Sequence, residues 1–129
     1  LTYDELKDLI NNYKKRYGTN PNLEMLIYGK VELMIMRYCL IKKQLNKNKI
    51  CNLCHNSNYY LDDRNGHRFM LLKDDNHNMR LYNYQKINNI GDISYLRELG
   101  VTNFRIDLLD ETLEDIESIL KQLKEKNVL

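Results

Sequence analysis

Three cysteines are the residues of this chain with the clearest potential for chemistry. Cys51 and Cys54 form a C-x-x-C pair, a spacing that lets two thiolates point at one metal ion from a tight turn. Cys39 lies twelve residues before this pair, at the end of an apolar run. The three thiols would supply three of the four ligands that a tetrahedral metal site needs. We therefore predict that Cys39, Cys51 and Cys54 converge on one metal site.

These cysteines allow two other interpretations. C-x-x-C pairs also serve redox chemistry, but a thioredoxin-like motif opens a helix after a strand. Here an Asn/Lys-rich stretch precedes the pair and Asn and Ser residues follow it, which disfavours that reading. The structural alternative makes Cys39 a small buried apolar residue and the pair two loop thiols. His55 and His67 are further nitrogen donors, with an exposed loop or hairpin histidine as the alternative for each.

Composition indicates one globular domain. The 129 residues are 43% apolar and 29% charged, with one Pro and five Gly. No run approaches the roughly 20 apolar residues of a membrane span, and no signal peptide is visible. Three cysteines cannot all pair within the chain, so we expect a reducing cytoplasm. Because the chain starts with Leu, directly at a helix cap, we expect a C-terminal fragment of a larger protein.

The elements that would position these cysteines follow from periodicity and from capping and turn residues. A capping box at Thr2–Glu5 predicts a helix over 3–17. Asn65-Gly66 predicts a β-hairpin between Tyr59–Leu61 and Arg68–Leu72. Residues 40–58 show no clear period and are predicted to form a loop. Further strands are expected at 23–28, 31–38, 79–82 and 103–108. A short helix is expected from Asp92, and a final helix is expected to be capped by Asp110 or Thr112. The inward face of the final helix is predicted to carry Leu113, Ile116, Leu120 and Leu123.

This order predicts an α/β fold with a few mostly parallel strands, flanking helices and a β-hairpin. It divides into a helix–strand unit at 1–38, a Cys/His loop and hairpin at 39–84, and a helix–strand–helix unit at 85–129. The predicted strands are too few to close a barrel. If the parent protein contains a barrel-like module, we expect this chain to hold only the last part of that module.

Charge is uneven along the chain, although the net charge is only +2. Five cations and no acid lie between Arg37 and Lys49, whereas the final helix starts with a run of acids. The basic run could meet RNA or another polyanion, or could be a solvated Lys/Asn loop.

The stretch around Tyr28-Gly29, Leu33-Met34 and Cys39 resembles a segment of the collagenase-like peptidase family (peptidase family U, number thirty-two). The C-x-x-C pair follows in the same order. Next comes a Tyr-x-Leu-x-Asp-Arg-x-Gly-x-x-Phe block, and near the end Arg-Ile-Asp at Arg105–Asp107. The likeness spans roughly residues 3–120. The Tyr-block is carried by Tyr59, Leu61, Asp63, Arg64, Gly66 and Phe69.

The resemblance implies a cytoplasmic bacterial or archaeal protein and the C-terminal part of a barrel-like catalytic module. Some members of the family are described as peptidases. Others take part in hydroxylating transfer RNA, ribosomal RNA or ubiquinone precursors, and several of these hold an iron–sulfur cluster on four cysteines. By this similarity Cys39, Cys51 and Cys54 fall on three ligand positions.

His77 stands where the resemblance places the fourth cysteine. Three Cys and one His form a common zinc set, and His also ligates some clusters. Glu32 replaces a Pro of related sequences, and Tyr84 replaces a Ser. These departures suggest a diverged paralogue, which could act as a non-catalytic partner of an active homologue.

Arg64, Arg105 and Asp107 are the predicted substrate-binding residues, because arginines bind anions through paired hydrogen bonds. The structural alternative is a hairpin salt bridge at Asp63–Arg64 and strand-end structure at Arg105–Asp107. No HExxH motif, nucleophile elbow or Ser-His-Asp spacing is present, so a peptidase activity rests on the resemblance alone. Either a peptidase, an iron–sulfur-dependent hydroxylase of RNA or a quinone precursor, or a metal-binding partner subunit is expected.

Overall fold

The computed structural model describes residues 1–45, 54 and 57–129. Three strands follow one another in the middle of the chain, and helices and strands alternate on either side of them. Every described helix is too short or too polar to cross a membrane. The helices are α1 (Tyr3–Tyr17), α2 (Leu40–Leu45), α3 (Ile93–Leu99) and α4 (Leu113–Glu125), with a 3₁₀ turn at Ile90–Asp92. The strands are β1 (Glu24–Met36), β2 (Tyr59–Asp62), β3 (Arg68–Lys73), β4 (Met79–Asn88) and β5 (Asn103–Ile106).

The strands form a mixed sheet in the order β2-β3-β4-β1-β5. β2, β3 and β4 pair antiparallel in sequence order, joined by tight turns. β5 pairs parallel to β1, from Glu24 opposite Asn103 to Tyr28 opposite Ile106. The α/β class and the hairpin at Asn65-Gly66 are therefore confirmed. The sheet is mixed, with β5 parallel to β1 and antiparallel pairing among β2, β3 and β4.

The chain divides into two compact units, which we call unit 1 (Leu1–Gly29 and Ile87–Leu129) and unit 2 (Lys30–Lys86). Unit 1 contains α1, α3, α4 and β5. The capping boxes that begin α1 and α4 are both formed, by Thr2 with Glu5 and by Thr112 with Asp115. Its core is apolar throughout and comprises Leu6, Ile10, Ile27, Tyr28, Ile90, Ile93, Leu96, Val101, Ile119 and Leu123.

Unit 2 has a smaller core around α2 and the three antiparallel strands. The buried members are Ile41, Leu71, Met79 and Leu81. Ile41 belongs to α2, in a stretch predicted to be loop; the helix Leu40–Leu45 forms because one of its residues reaches this core. Tertiary burial thus stabilises a six-residue helix that would not persist alone.

Two further expectations differ from the structure. The strands predicted at 23–28 and 31–38 are one continuous strand, β1, because Gly29 continues the extended chain at a φ of 133°. In α4, Leu123 is buried and Ile116 is half-buried as predicted, but Ile119 is also buried, and Leu113 and Leu120, expected to face inward, are exposed. The real inward face is therefore rotated from the predicted one, since the mixed apolar pattern of α4 permits more than one stripe.

Candidate metal centre

Cys39 lies immediately before α2, in unit 2. Its Sγ accepts a hydrogen bond from the backbone N–H of Lys42 at 3.4 Å, and its carbonyl oxygen accepts one from Lys43 at 3.2 Å. The first turn of α2 therefore holds the sulfur in place. Hydrogen bonds of this kind tune the sulfurs of metal-bound thiolates.

Cys54 is half-buried and packs against the same apolar cluster as Cys39, around Ile41, Leu71, Met79 and Leu81. Two of the predicted ligands, fifteen residues apart in the chain, therefore meet one small core. Cys54 also lines a cavity of about 330 Å³ together with Asp74 and Asp75. These aspartates begin the turn between β3 and β4.

His77 lies in that same turn, Asp74–Asn78, and is exposed. Its backbone has a φ of 62°, a left-handed conformation that is uncommon for residues other than glycine. The backbone N–H of His77 donates to the Asp74 carbonyl at 3.1 Å, and Asp74 N–H donates to the Asn78 carbonyl at 2.9 Å. The cavity that Cys54 lines includes Asp74 and Asp75 of this turn, but His77 is not among its lining residues.

Cys51 and His55 lie outside the described residues. Within residues 1–45, 54 and 57–129, no three His, Cys, Asp or Glu side chains are grouped closely enough to hold a metal ion. The four-ligand site of Cys39, Cys51, Cys54 and His77 therefore stays a prediction. The donor chemistry fits such a group: two half-buried thiols in apolar surroundings suit zinc or an iron–sulfur cluster.

A feature that sequence reasoning missed is that two hairpin turns of unit 2 share one construction. In the turn Asp63–His67, Asp63 Oδ1 accepts the backbone N–H groups two and four residues on, at 2.8 and 2.9 Å. In Asp74–Asn78, Asp74 Oδ1 does the same, at 2.9 Å each. The fourth residue of each turn, Gly66 or His77, has a positive φ. The repeated Asp-x-Asn in the sequence was the available signal.

These hydrogen bonds keep both aspartates ionised. The backbone N–H of His67, followed by its imidazole 3.0 Å away, holds the pKa of Asp63 below its usual value. The backbone N–H of Asn78 is the largest cause of the lowered pKa of Asp74. The imidazole of His67 also stacks on Tyr84, with ring centroids 4.0 Å apart. Its contacts with Asp63 and Tyr84 give this histidine a structural role in the hairpin.

Arg80 joins the second turn to β1. Its Nη1 donates to Glu32 at 2.7 Å, and its Nε and Nη2 both donate to Asp74 Oδ2 at 3.2 Å. Hydrogen bonding to Glu32 is the main reason that the pKa of Arg80 is raised. Glu32 therefore has an ion-pair partner inside unit 2.

The predicted substrate-binding residues lie in different surroundings. Arg64 is exposed in the first turn and makes no ion pair with a described residue. Arg105, in unit 1, is paired with Glu24 at 3.4 Å and Asp107 at 3.2 Å. An anion at Arg105 would have to compete with two carboxylates, whereas Arg64 is open to a ligand. The strand-end alternative therefore accounts for the observed contacts of Arg105.

Comparison with known proteins gives no relative: no family model, no curated protein and no solved structure matches this chain.

Proposed function

We propose that this chain is part of a cytoplasmic protein of the collagenase-like peptidase family and that its cysteines hold a metal ion or an iron–sulfur cluster. The observation that carries the metal proposal is the packing of Cys39 and Cys54 against one apolar cluster. Cys51, three residues before Cys54, and the exposed His77 would complete the ligand set. Sulfur-rich sets of this kind are typical of zinc and iron–sulfur sites.

The family proposal gains physical support from two of the sequence blocks that carry the resemblance. The backbone N–H of Asp107 donates to the carbonyl oxygen of Tyr28 at 2.9 Å. At Gly29 a Cβ would stand 2.6 Å from the Asp107 oxygen. The Tyr-Gly block and the Arg-Ile-Asp block are thus in direct contact, which gives a structural reason for both to occur in one chain.

Hydrolysis of peptide bonds is the activity that the resemblance implies. The metal would have a structural role in such an enzyme, because a zinc ion with four protein ligands has no open position for water. The residues of this chain would then shape the module, and the groups that attack the peptide bond would lie elsewhere in the protein. Arg64 is the described side chain best placed to bind a carboxylate of the substrate, since it is exposed and has no ion-pair partner among the described residues.

Hydroxylation of RNA or a quinone precursor is the second candidate. It is favoured by the apolar surroundings of both described sulfurs, because limited solvent access is one of the ways in which a protein tunes an iron–sulfur cluster. A bound cluster would supply electron transfer. The chain's own contribution would be to hold the cluster through Cys39, Cys51 and Cys54 and to keep water from the sulfurs.

A non-catalytic partner subunit is the third candidate, and the observation in its favour is His77. A histidine with a left-handed backbone stands where the resemblance places a cysteine, and Glu32, which replaces a Pro of related sequences, forms an ion pair with Arg80. Such a chain would keep the fold and a metal while an active homologue performed the reaction.

Metal analysis after anaerobic purification tests the site directly. A brown protein with iron and sulfide supports the hydroxylase, and one zinc per chain in a colourless protein supports a structural site. We expect Cys39→Ser, Cys51→Ser and Cys54→Ser each to reduce the bound metal, with Ser57→Ala as a neighbouring control that keeps it. Metal-free protein that folds normally, or metal retained in all three cysteine variants, contradicts the proposed site.

Activity separates the three candidates. The first assay incubates the protein with gelatin or with labelled peptides. The second uses mass spectrometry to look for added oxygen in RNA from cells that contain or lack the gene. Cleavage that Arg64→Ala weakens supports the peptidase. Neither cleavage nor hydroxylation, together with co-purification of an active homologue, supports the partner subunit.

A further inference from the structure

Unit 2 contains a cavity at the end of β3, where the strand passes into the turn Asp74–Asn78. This is the cavity that Cys54 lines, and we call it the β3-end cavity. Its volume of about 330 Å³ lies at the lower end of the range of small-molecule sites, roughly 300–1,000 Å³. The size therefore suits one small molecule.

Part of the cavity lining is aliphatic. Ile41 of α2 and Leu71 of β3 both line it, and they are 5% and 6% exposed in the core of unit 2. Their packing there fixes this part of the lining. Ser57 and Asn58 add a hydroxyl and an amide group to the rest. The cavity thus offers apolar surface and hydrogen-bonding groups to the same ligand.

Two charged side chains of the lining are left for a ligand. Asp74 is already engaged, because Arg80 Nε and Nη2 donate to its Oδ2 and two backbone N–H groups donate to its Oδ1. Lys73 is half-buried, and Asp75, which follows Asp74, is exposed. Among the described residues, neither Lys73 nor Asp75 has an ion-pair partner. A half-buried ammonium group without a counter-charge is costly, and a bound carboxylate would offset that cost.

The charges of the lining narrow the class of ligand. A phosphate group would meet one lysine but also the carboxylates of Asp74 and Asp75. An amine alone would leave Lys73 without a counter-charge. A small molecule that carries one carboxylate, one ammonium group and an apolar chain matches each kind of lining group.

We propose that the β3-end cavity binds a free α-amino acid with an aliphatic side chain. The ligand carboxylate contacts the Lys73 ammonium group, and the ligand ammonium group contacts the Asp75 carboxylate. The aliphatic side chain lies against Ile41 and Leu71, where burial of apolar area supplies attraction. The site does not rest on the metal proposal or on the proposed activities, because neither Lys73 nor Asp75 is among the predicted metal ligands or substrate-binding residues.

Isothermal titration calorimetry of the full chain with L-leucine tests the proposal. We expect saturable binding, and analogues of leucine separate the contributions of its groups. Isocaproate lacks the ammonium group and isoamylamine lacks the carboxylate, so each should bind at least about tenfold more weakly than leucine. Glycine keeps both charges but lacks the aliphatic side chain, and it should also bind at least about tenfold more weakly.

Two variants assign the contacts to residues. Lys73→Gln should weaken leucine binding at least about tenfold and leave isoamylamine binding unchanged, because the amine has no carboxylate. Asp75→Asn should weaken leucine binding similarly and leave isocaproate binding unchanged, because isocaproate has no ammonium group. Lys42→Gln and Glu98→Gln, at exposed positions outside the lining, are controls that should bind leucine as the parent chain does. Circular dichroism verifies that each variant is folded.

Absence of saturable binding at millimolar leucine overturns the proposal, as does leucine binding that Lys73→Gln and Asp75→Asn both leave unchanged. Isoamylamine that binds as tightly as leucine would make the cavity an amine site and the amino-acid assignment wrong. L-Leucinamide distinguishes the source of the ligand, since it reproduces the amino-terminal residue of a peptide. If it binds as tightly as leucine, the cavity holds a peptide terminus, and the assignment to a free amino acid is wrong.

Discussion

The backbone carbonyl of Asp107 lies directly against Gly29, so that a Cβ at Gly29 would stand 2.6 Å from the carbonyl oxygen. Gly29 also has a φ of 133°, which side chains rarely tolerate. The parallel pair of β1 and β5 therefore depends on the absence of a side chain at one position. This contact explains why β1 passes through a glycine without ending there.

Gly29→Ala should destabilise the protein by more than about 2 kcal/mol, because backbone strain and a steric clash act together. Gly18→Ala is the matched control: Gly18 also has a positive φ, but no atom lies within 4 Å of the added carbon. Strain alone should cost the control about 1 kcal/mol. Urea denaturation measures both, and equal losses would contradict the close approach of Asp107.

Ile119 and Leu120 test which face of α4 is buried. Ile119 is 5% exposed, so Ile119→Ala should lower the free energy of unfolding by about 2–4 kcal/mol through lost packing and a cavity. Leu120→Ala, one residue on, should change it by less than about 0.5 kcal/mol. Thermal unfolding of the two variants measures the difference. The reverse ranking would restore the inward face expected from sequence.

His77 allows the fold and the proposed metal site to be separated. Glycine relieves the left-handed backbone of this position but adds unfolded-state entropy, so His77→Gly should change the stability of the apoprotein by less than about 1 kcal/mol. The same change should weaken metal binding if His77 is the fourth ligand. Thermal melts of metal-free protein and metal titrations provide the two readouts. Unchanged metal affinity would remove His77 from the ligand set.

Asp74 should make the stability of the protein dependent on acid. Its pKa is lower in the folded chain than in the unfolded one, chiefly through the backbone N–H of Asn78. The stabilisation is therefore present above the unfolded value of about 3.9 and is lost as the pH falls through the lower folded pKa.

Asp74→Asn keeps the shape and removes the charge. The variant should melt below the parent at pH 7, and the difference should shrink as the pH falls through the lowered pKa of Asp74. Asp75→Asn, at the exposed next position, serves as the control and should melt as the parent does. A difference that is constant with pH would show that the carboxylate charge has no part in the turn.

Local chemistry made much of this fold predictable. The capping boxes at Thr2 and Thr112, the Asn-Gly turn and the glycine after α1 each act within a few residues, so their effects follow from the sequence. The α/β class followed from the alternation of the elements. The cysteine spacing, likewise local, identified a ligand set whose convergence is still a prediction.

What the sequence left open depends on contacts between distant residues. Asp107 lies against Gly29, where β1 continues through the glycine. Burial of Ile41 in a core stabilises α2, and the packing of Ile119 determines which face of α4 is buried. The ion pairs of Arg80 with Glu32 and Asp74 likewise join separate parts of unit 2. Apolar burial and ion pairing are decided by which surfaces meet. Only the tertiary structure specifies that, because one amphipathic pattern is compatible with several packings.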